Sequence, residues 1–223
     1  MKLLIMGPPG AGKGTQAAIL ADRFGLAHLS SGDILRKSVK AGEELGKQAK
    51  SYMDSGGLVP DELMISLILN EVLSLVDSGR GFLLDGFPRT LGQARSLAQA
   101  FADNEVSIES VINLKVSDEI VVDRLSGRRV CPECARVYHV RDLPPKIEGV
   151  CDVHSEAHLI TRSDDTESVI RQRLKVYLDN TKPILDYYEN SGLVLDINGN
   201  QDKTEITQQI VEQLGSGAQA AGA

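Results

Sequence analysis

The sequence predicts an α/β protein, a P-loop five-stranded parallel sheet core with helices on both faces. Three observations predict it. Short apolar runs of strand length alternate with longer stretches of helical period, a pattern that requires parallel strands joined by right-handed crossovers. The first run, Lys2 to Met6, passes directly into the glycine-rich turn Gly7-Pro8-Pro9-Gly10-Ala11-Gly12-Lys13. A later run, Phe82 to Leu84, ends in Asp85, and ligands of open parallel sheets collect at the carboxyl ends of strands.

Taken in order, Lys2–Met6 is too short for a helix and reads as a buried strand. Gly7, four residues, then Gly12-Lys13 is the spacing of a phosphate-binding loop. Its glycines let backbone N–H groups converge on phosphate oxygens, the new helix presents its positive end, and the lysine reaches the outer phosphates. Where such loops place a magnesium-binding hydroxyl after the lysine, this one has Gly14; the hydroxyl comes one place later, at Thr15. Direct metal ligation by the loop is therefore left open. Gly25 breaks the first helix, Leu26–Leu29 reads as a second strand, and Ser30-Ser31-Gly32-Asp33 is rich in helix-capping groups.

Residues 37–56 are polar and helical in pattern, ended by Gly56-Gly57, and a long apolar-periodic helix covers Glu62 to Val76. The third strand ends at Asp85, next to Gly86-Phe87-Pro88-Arg89. That carboxylate reads as a magnesium partner or, more simply, as a cap on the next helix. Leu91–Phe101 is helical, Ser110–Val116 a fourth strand and Asp118–Leu125 a helix. A helix from Thr166 to about Asn190 should bend or break at Pro183. Leu193–Ile197 is the fifth strand, and Thr204–Leu214 the last helix. The glycine- and alanine-rich tail, 215–223, has nothing to bury and is expected to be disordered.

Two segments interrupt the alternation, 30–59 and 128–164; the core then comprises 1–29, 60–127 and 165–214. The second interruption contains all three cysteines. Cys131-x2-Cys134, sixteen residues, then Cys151-x2-His154 forms two tight knuckles at zinc-site spacing. Three thiolates and an imidazole would close a tetrahedral, structural site.

At 223 residues the chain is ample for one sizeable core. A net charge of −7 and the absence of long basic runs argue against nucleic acid or an anionic membrane as partner. The N-terminus lacks a signal pattern, and no apolar run approaches the roughly 20 residues that span a bilayer. An odd cysteine count does not suggest a disulfide framework, so a soluble protein of a reducing cytoplasm is expected.

The stretches GPPGAGKGTQ, SSGDILR, DGFPRT with Gln93, GRR at 127–129, VYH at 137–139 and TRSDD followed by Arg173 occur in one order along the chain. In this the chain resembles the adenylate kinase family from Met1 to about Leu214, with the long lid of bacterial members. The resemblance implies transfer of the terminal phosphoryl of ATP to AMP, giving two ADP, with magnesium. It also implies a monomer with a mobile monophosphate-binding domain (30–59) and lid (128–164). Gly10, Ala11, Gly12, Lys13, Gly14, Thr15, Arg124, Arg128, Val137, Tyr138 and Gln201 match the ATP side. Ser31, Arg36, Gly57, Leu58, Val59, Gly86, Phe87, Pro88, Arg89, Gln93, Arg162 and Arg173 match the AMP side. Lys13, Asp85 and the arginines at 36, 89, 128, 162 and 173 match the catalytic set, Arg124 an adenine-stacking position, and zinc the lid.

Chemistry agrees with that implication. Phosphoryl transfer asks for positioning, charge neutralisation and exclusion of water, and planar guanidinium groups grip phosphate in bidentate fashion. Gln93 can offer donor and acceptor together to an adenine edge. The rival readings are a uridylate or guanylate kinase, and a nucleic-acid-binding ribbon on a nucleotide switch. The long cysteine-bearing lid and Gln93 disfavour the first, the acidic balance the second.

Overall fold

The computed structural model describes residues 1–220, and counts below refer to these described residues. The elements run β1 (Lys2–Met6), α1 (Lys13–Phe24), β2 (Ala27–Ser30), α2 (Ser31–Ala41), α3 (Glu44–Ser55), α4 (Asp61–Asp77), β3 (Phe82–Asp85) and α5 (Leu91–Asp103). They continue with β4 (Ser110–Lys115), α6 (Asp118–Ser126), β5 (Arg128–Val130), β6 (Val137–His139), α7 (Glu167–Val176), α8 (Lys182–Glu189), β7 (Val194–Asn198) and α9 (Lys203–Ala220). Five strands form one parallel sheet in the order β2-β3-β1-β4-β7, with β1 at its centre.

Strand side chains alternate between faces, and the core divides accordingly. Leu4, Met6, Phe82, Leu84 and Val111 pack against α4, α5 and α8 through Ile68, Val72, Leu97, Phe101 and Ile184. Leu3, Ile5, Leu83, Ile112 and Leu114 pack on the other face against Ala17 and Leu20 of α1 and Ile206, Ile210 and Leu214 of α9. Each large side chain so buried contributes about 1.5–3 kcal/mol. Gln16, part of the loop motif, serves this packing: its amide donates to Lys203 O and accepts from Thr207 Oγ1, tying α1 to α9.

Three local outcomes differ from the sequence expectations. The polar helical stretch 37–56 is broken at Gly42, whose left-handed backbone caps α2 and lets α3 turn back. Helix 166–190 is interrupted upstream of its proline, by a π-helical segment at Tyr177–Thr181. Pro183 lacks an N–H and its ring crowds the carbonyl four residues earlier, at Asp179, so the widened turn precedes it. The last helix continues through 215–220, correcting the expected disordered tail over that stretch. Each added helical residue gains a backbone bond, and alanine and glutamine favour it, which offsets the glycines. The expectation for 221–223 lies outside the described residues.

Residues 128–164 form a separate lobe: the antiparallel β5–β6 pair, with isolated bridges Val130–Ile160, His139–Leu143 and Val150–His158. No helix of the described residues is long and apolar enough to cross a membrane.

Candidate functional site

β1 delivers the chain into the loop at Gly7, with φ 142°, followed by Gly10 at 78° and Gly12 at 90°. These are glycine conformations. Space requires glycine as well, since a Cβ on Gly7 would lie 2.7 Å from Leu114 O and one on Gly10 2.9 Å from Leu125 Cγ. Gly12 caps α1 without a side chain, so the first-turn amides of Lys13, Gly14 and Thr15 face the ligand side with no side-chain acceptor from the cap. Lys13 Nζ donates to Gly7 O and Pro8 O, each at 2.8 Å. Burial, and after it the Arg89, Arg173 and Arg128 charges, outweighs the attraction of Asp85 and pushes the ammonium down to about 8.

Asp85, at the end of β3, is buried, with Oδ2 3.5 Å from His28 Nε2. The same oxygen would lie 3.4 Å from a Cβ on Gly14, so the missing side chain at position 14 leaves the carboxylate beside the opening of α1. A hard-cation ligand next to a phosphate loop is the donor type magnesium requires.

Six cations meet across this cleft. Lys13 comes from the loop, Arg36 from α2, Arg89 from the turn after β3, Arg128 from β5, Arg162 from the returning chain and Arg173 from α7. Loss of hydration in the cleft, then repulsion from Arg173, pushes Arg89 down to about 10. Arg162 falls to about 10 through desolvation and then the Arg36 and Arg128 charges, and its buried Nε has no hydrogen-bond partner. Burial lowers Arg173 too. All four resist their own charge, the state a polyanion relieves.

Carboxylates hold several of these cations in place. Arg36 Nη2 donates to Asp33 Oδ1 at 2.5 Å. Arg128 grips Asp165 in bidentate fashion, with Nε to Oδ2 at 2.7 Å. Arg173 reaches Asp164 Oδ2 at 2.8 Å and the Asp164 carbonyl at 3.0 Å. Asp33 and Asp165 stand inside SSGDILR and TRSDD, where the three-residue step from Asp33 to Arg36 is the signal that identifies the pairing.

Beside Arg89, Gly86 O accepts from Ser31 Oγ at 2.7 Å and from Arg89 Nε at 2.7 Å, joining the start of α2 to the turn after β3. A Cβ on Gly86 would lie 2.8 Å from that hydroxyl. Leu58, Gly86, Pro88, Arg89, Arg173 and Lys13 line one cleft, which Gly57 and Val59 flank along the chain. Phe87 and Val59 are buried in the main core, so only their backbones face outward. Gln93 is buried; its Oε1 accepts from Arg89 N at 2.7 Å and its Nε2 donates to Asp61 Oδ1 at 2.8 Å. Asp61 escaped the sequence reading because it looked like the ordinary acidic first-turn residue of α4.

Arg124 Nη1 lies 3.5 Å from Ala11 O and Nη2 3.4 Å from Gln201 O, which brings loop, α6 and the β7–α9 turn together. Val137 and Tyr138 sit on β6, but the Tyr138 ring turns into the lobe, where its hydroxyl accepts from Asp152 N at 2.8 Å. Tyr138 therefore has only its backbone to offer a nucleotide, while Val137 is half-buried.

In the lobe, one ligand atom each from Cys131, Cys134, Cys151 and His154 lies within 4.8 Å of every other. Burial alone would raise the Cys151 thiol; hydrogen bonds from Tyr138, Val153 and His154 outweigh it and bring the thiol down to about 5. The thiolate is the metal-binding form. Asp123, His139 and Asp142 make a second group. There, however, His139 Nδ1 already accepts from Asp142 N at 3.1 Å.

A cleft that gathers cations from six separate segments and spends its carboxylates on holding them is that of a P-loop phosphotransferase. The family model described as Adenylate kinase matches residues 5–193. An adenylate kinase of Clostridioides difficile (strain 630) is 46% identical over 217 residues, 97% of this chain and 100% of that protein. That of Caldicellulosiruptor saccharolyticus is 47% identical over 215 residues, 96% and 99% of the two chains. That of Staphylococcus epidermidis is 44% identical over 214 residues, again 96% and 99%. The chain belongs to the adenylate kinase family of nucleoside-monophosphate kinases.

Proposed function

We infer that this protein transfers the terminal phosphoryl group of ATP to AMP, reversibly, giving two ADP. The observation that carries the reading is the cluster of Lys13 and five arginines, one of them with a buried, partnerless Nε. Asp33, Asp164 and Asp165 pair with three of these arginines, yet Lys13, Arg89, Arg162 and Arg173 remain pushed below their ordinary values, a state that two nucleotides placed phosphate to phosphate would relieve.

In the transfer, an oxygen of the AMP phosphate attacks the terminal phosphorus as the bond to the bridging oxygen of ATP breaks. The loop amides and Lys13, released from Gly7 O and Pro8 O, take the donor phosphates. Arg36 and Arg89 grip the acceptor phosphate, and Arg128, Arg162 and Arg173 spread over the charge in flight. Magnesium, bound with ATP, would supply further charge neutralisation, with Asp85 beside the opening of α1 as the group that would hold it. Arg124 and the Gln201 backbone flank the donor base; Gln93 and Ser31 serve the acceptor.

Closure of 30–59 and 128–164 over the cleft would exclude water, the competing acceptor. Contacts between the two segments support it: Lys40 Nζ approaches Glu133 at 3.5 Å, and Ser163 Oγ donates to Asp54 Oδ1 at 2.9 Å. The lid ligand set fits zinc in type and spacing, and four protein ligands leave no open position, which makes the role structural. We assign the protein to the cytoplasm as a monomer.

The test is to offer purified protein ATP with each nucleoside monophosphate in turn and to follow ADP. Turnover fastest with AMP is the expected result. Equal or faster turnover with UMP or GMP would overturn the acceptor assignment, and none with any monophosphate would overturn the enzyme.

A further inference from the structure

Asp61 sits at the first position of α4, directly after Pro60, and nothing in phosphate chemistry calls on it. Its two carboxylate oxygens are nevertheless spent on one neighbour and that neighbour's support. Oδ1 accepts from Gln93 Nε2 at 2.8 Å, and Oδ2 accepts from Thr90 Oγ1 at 2.7 Å. Thr90 in turn caps α5, its oxygen accepting from Gln93 N at 3.1 Å. Room for this arrangement comes from Gly92, where a Cβ would lie 2.9 Å from Asp61 Oδ2.

A primary amide has two orientations, related by exchange of its oxygen and nitrogen, and they present opposite patterns to a ligand. Here both partners select the same one. A carboxylate only accepts, so it requires the NH2 end. The Arg89 amide only donates, at 2.7 Å, so it requires the oxygen end. Flipping Gln93 would set an oxygen against the Asp61 carboxylate and an N–H against an N–H, with the side chain buried at 2% exposure and little water to compensate. One Nε2 hydrogen and one Oε1 lone pair remain for a ligand.

We propose that Asp61 is a specificity-determining positioning residue: through Gln93 it fixes the donor–acceptor order shown to the acceptor base. This rests on the reading of Gln93 as part of the acceptor pocket. Adenine offers an exocyclic amine donor beside a ring-nitrogen acceptor, which the held amide complements. A 6-oxopurine offers a carbonyl acceptor beside a ring N–H donor, the reverse order, and meets oxygen with oxygen. Asp61 thus excludes 6-oxopurine monophosphates by holding an amide in place, without touching the base.

The experiment measures kcat and KM for AMP and for IMP, with ATP saturating, in the wild type, Asp61→Asn, Asp61→Ala and Gln93→Ala. IMP differs from AMP at that edge alone. Removing a charged partner from a buried hydrogen bond should raise the AMP KM about tenfold. The kcat for AMP should fall much less, the ATP KM should stay within about twofold, and the AMP-to-IMP ratio of kcat/KM should drop at least about tenfold. Asp61→Asn keeps the shape and covers the case in which Asp61→Ala does not fold. If Gln93→Ala changes the ratio and neither Asp61→Ala nor Asp61→Asn does, the positioning role is overturned and the pocket assignment stands. If Gln93→Ala itself leaves the AMP KM and the ratio unchanged, Gln93 is not at the base and both readings fall. Parallel losses for AMP and IMP in the Asp61 variants would show a merely structural residue and overturn the proposal.

Discussion

The two segments that interrupt the α/β alternation are held in opposite ways. The helical one, around α2 and α3, shares the main core: Leu35, Ala49 and Val59 belong to the same buried cluster as Leu4 and Phe82. The lid shares nothing of the kind. Its cluster is Cys131, Tyr138, Cys151 and Ala157, with Leu159 at the margin, while Ile147 is 67% and Val153 58% exposed. At about 25 cal/mol per Å² of apolar surface, so small a cluster cannot offset the ordering of the chain around it. One segment is thus stabilised by burial that continues from the sheet; the other has only its small cluster and the Cys131, Cys134, Cys151 and His154 group, which could hold a metal ion. Loss of a side chain should register differently in the two, and differently again in the cleft between them.

Cleft residues should affect turnover and leave stability alone. The largest effect is expected for Lys13→Met, with transfer down at least about 10³-fold, because the lost charge acts where negative charge develops. Circular dichroism should stay that of the wild type and the melting temperature should not fall; near-normal turnover in a folded variant would refute the assignment. Next comes Arg89→Ala, which should lower kcat/KM for AMP on the order of 10²-fold by removing a charge-assisted bidentate contact. ATP binding measured alone should change little. An equal fall in ATP affinity would place Arg89 on the donor side.

In the insertions and core the order reverses, with stability moving before turnover. Leu84→Ala should cost about 2–5 kcal/mol of global stability, since Leu84 is fully buried between β1 and β2. Stripping the metal by chelator at mildly acid pH, where thiolates take up protons, should instead loosen the lid alone and lower the temperature at which activity is lost. Cys151→Ser should mimic stripping, and His154→Asp should weaken retention without abolishing it. Elemental analysis should find one zinc per chain. A content near zero in protein purified without chelator would remove the site. Complete inactivity of a stripped yet folded enzyme would remove its purely structural role.

The smallest effect is a pH dependence. With Lys13 brought down to about 8, against an ordinary value near 10.5, the free enzyme has lost this proton by pH 9. An unfolded chain would still hold it, so this group opposes folding most below pH 8, and its penalty is relieved as pH rises through 8 to about 10. Bound phosphates favour the charged form and restore the proton. ATP affinity should therefore fall above pH 8, by up to about tenfold per pH unit. Calorimetry at pH 9 in buffers of different ionisation enthalpy should show proton uptake on binding; no buffer dependence would mean that Lys13 is already charged in the free cleft.

The apolar runs, the loop from Gly7 to Thr15, the capping groups at Ser30 and the knuckle spacing of 131–154 were all legible in the sequence, whereas the cap of α5 proved to be Thr90 and not Asp85. Each depends on residues within a few positions of one another, where periodicity, glycine and capping chemistry act directly. The break at Gly42 was written as a glycine but not as a reversal, because a single glycine in a polar helical stretch is tolerated as readily as it is used. The π-helical turn at Tyr177–Thr181 was legible only as a proline somewhere downstream. Tertiary structure alone decided which partners the side chains would meet. It put Gln93, readable as a free donor and acceptor, between Asp61 and the Arg89 backbone, and it turned Tyr138 into the lid. It also brought Arg36, Arg89, Arg128, Arg162 and Arg173, spread over most of the chain, into one cleft with Lys13. Local signals report the backbone's own preferences. Contacts between residues as far apart as Lys13 and Arg173 exist only once the sheet order β2-β3-β1-β4-β7 has placed every strand's carboxyl end along one edge.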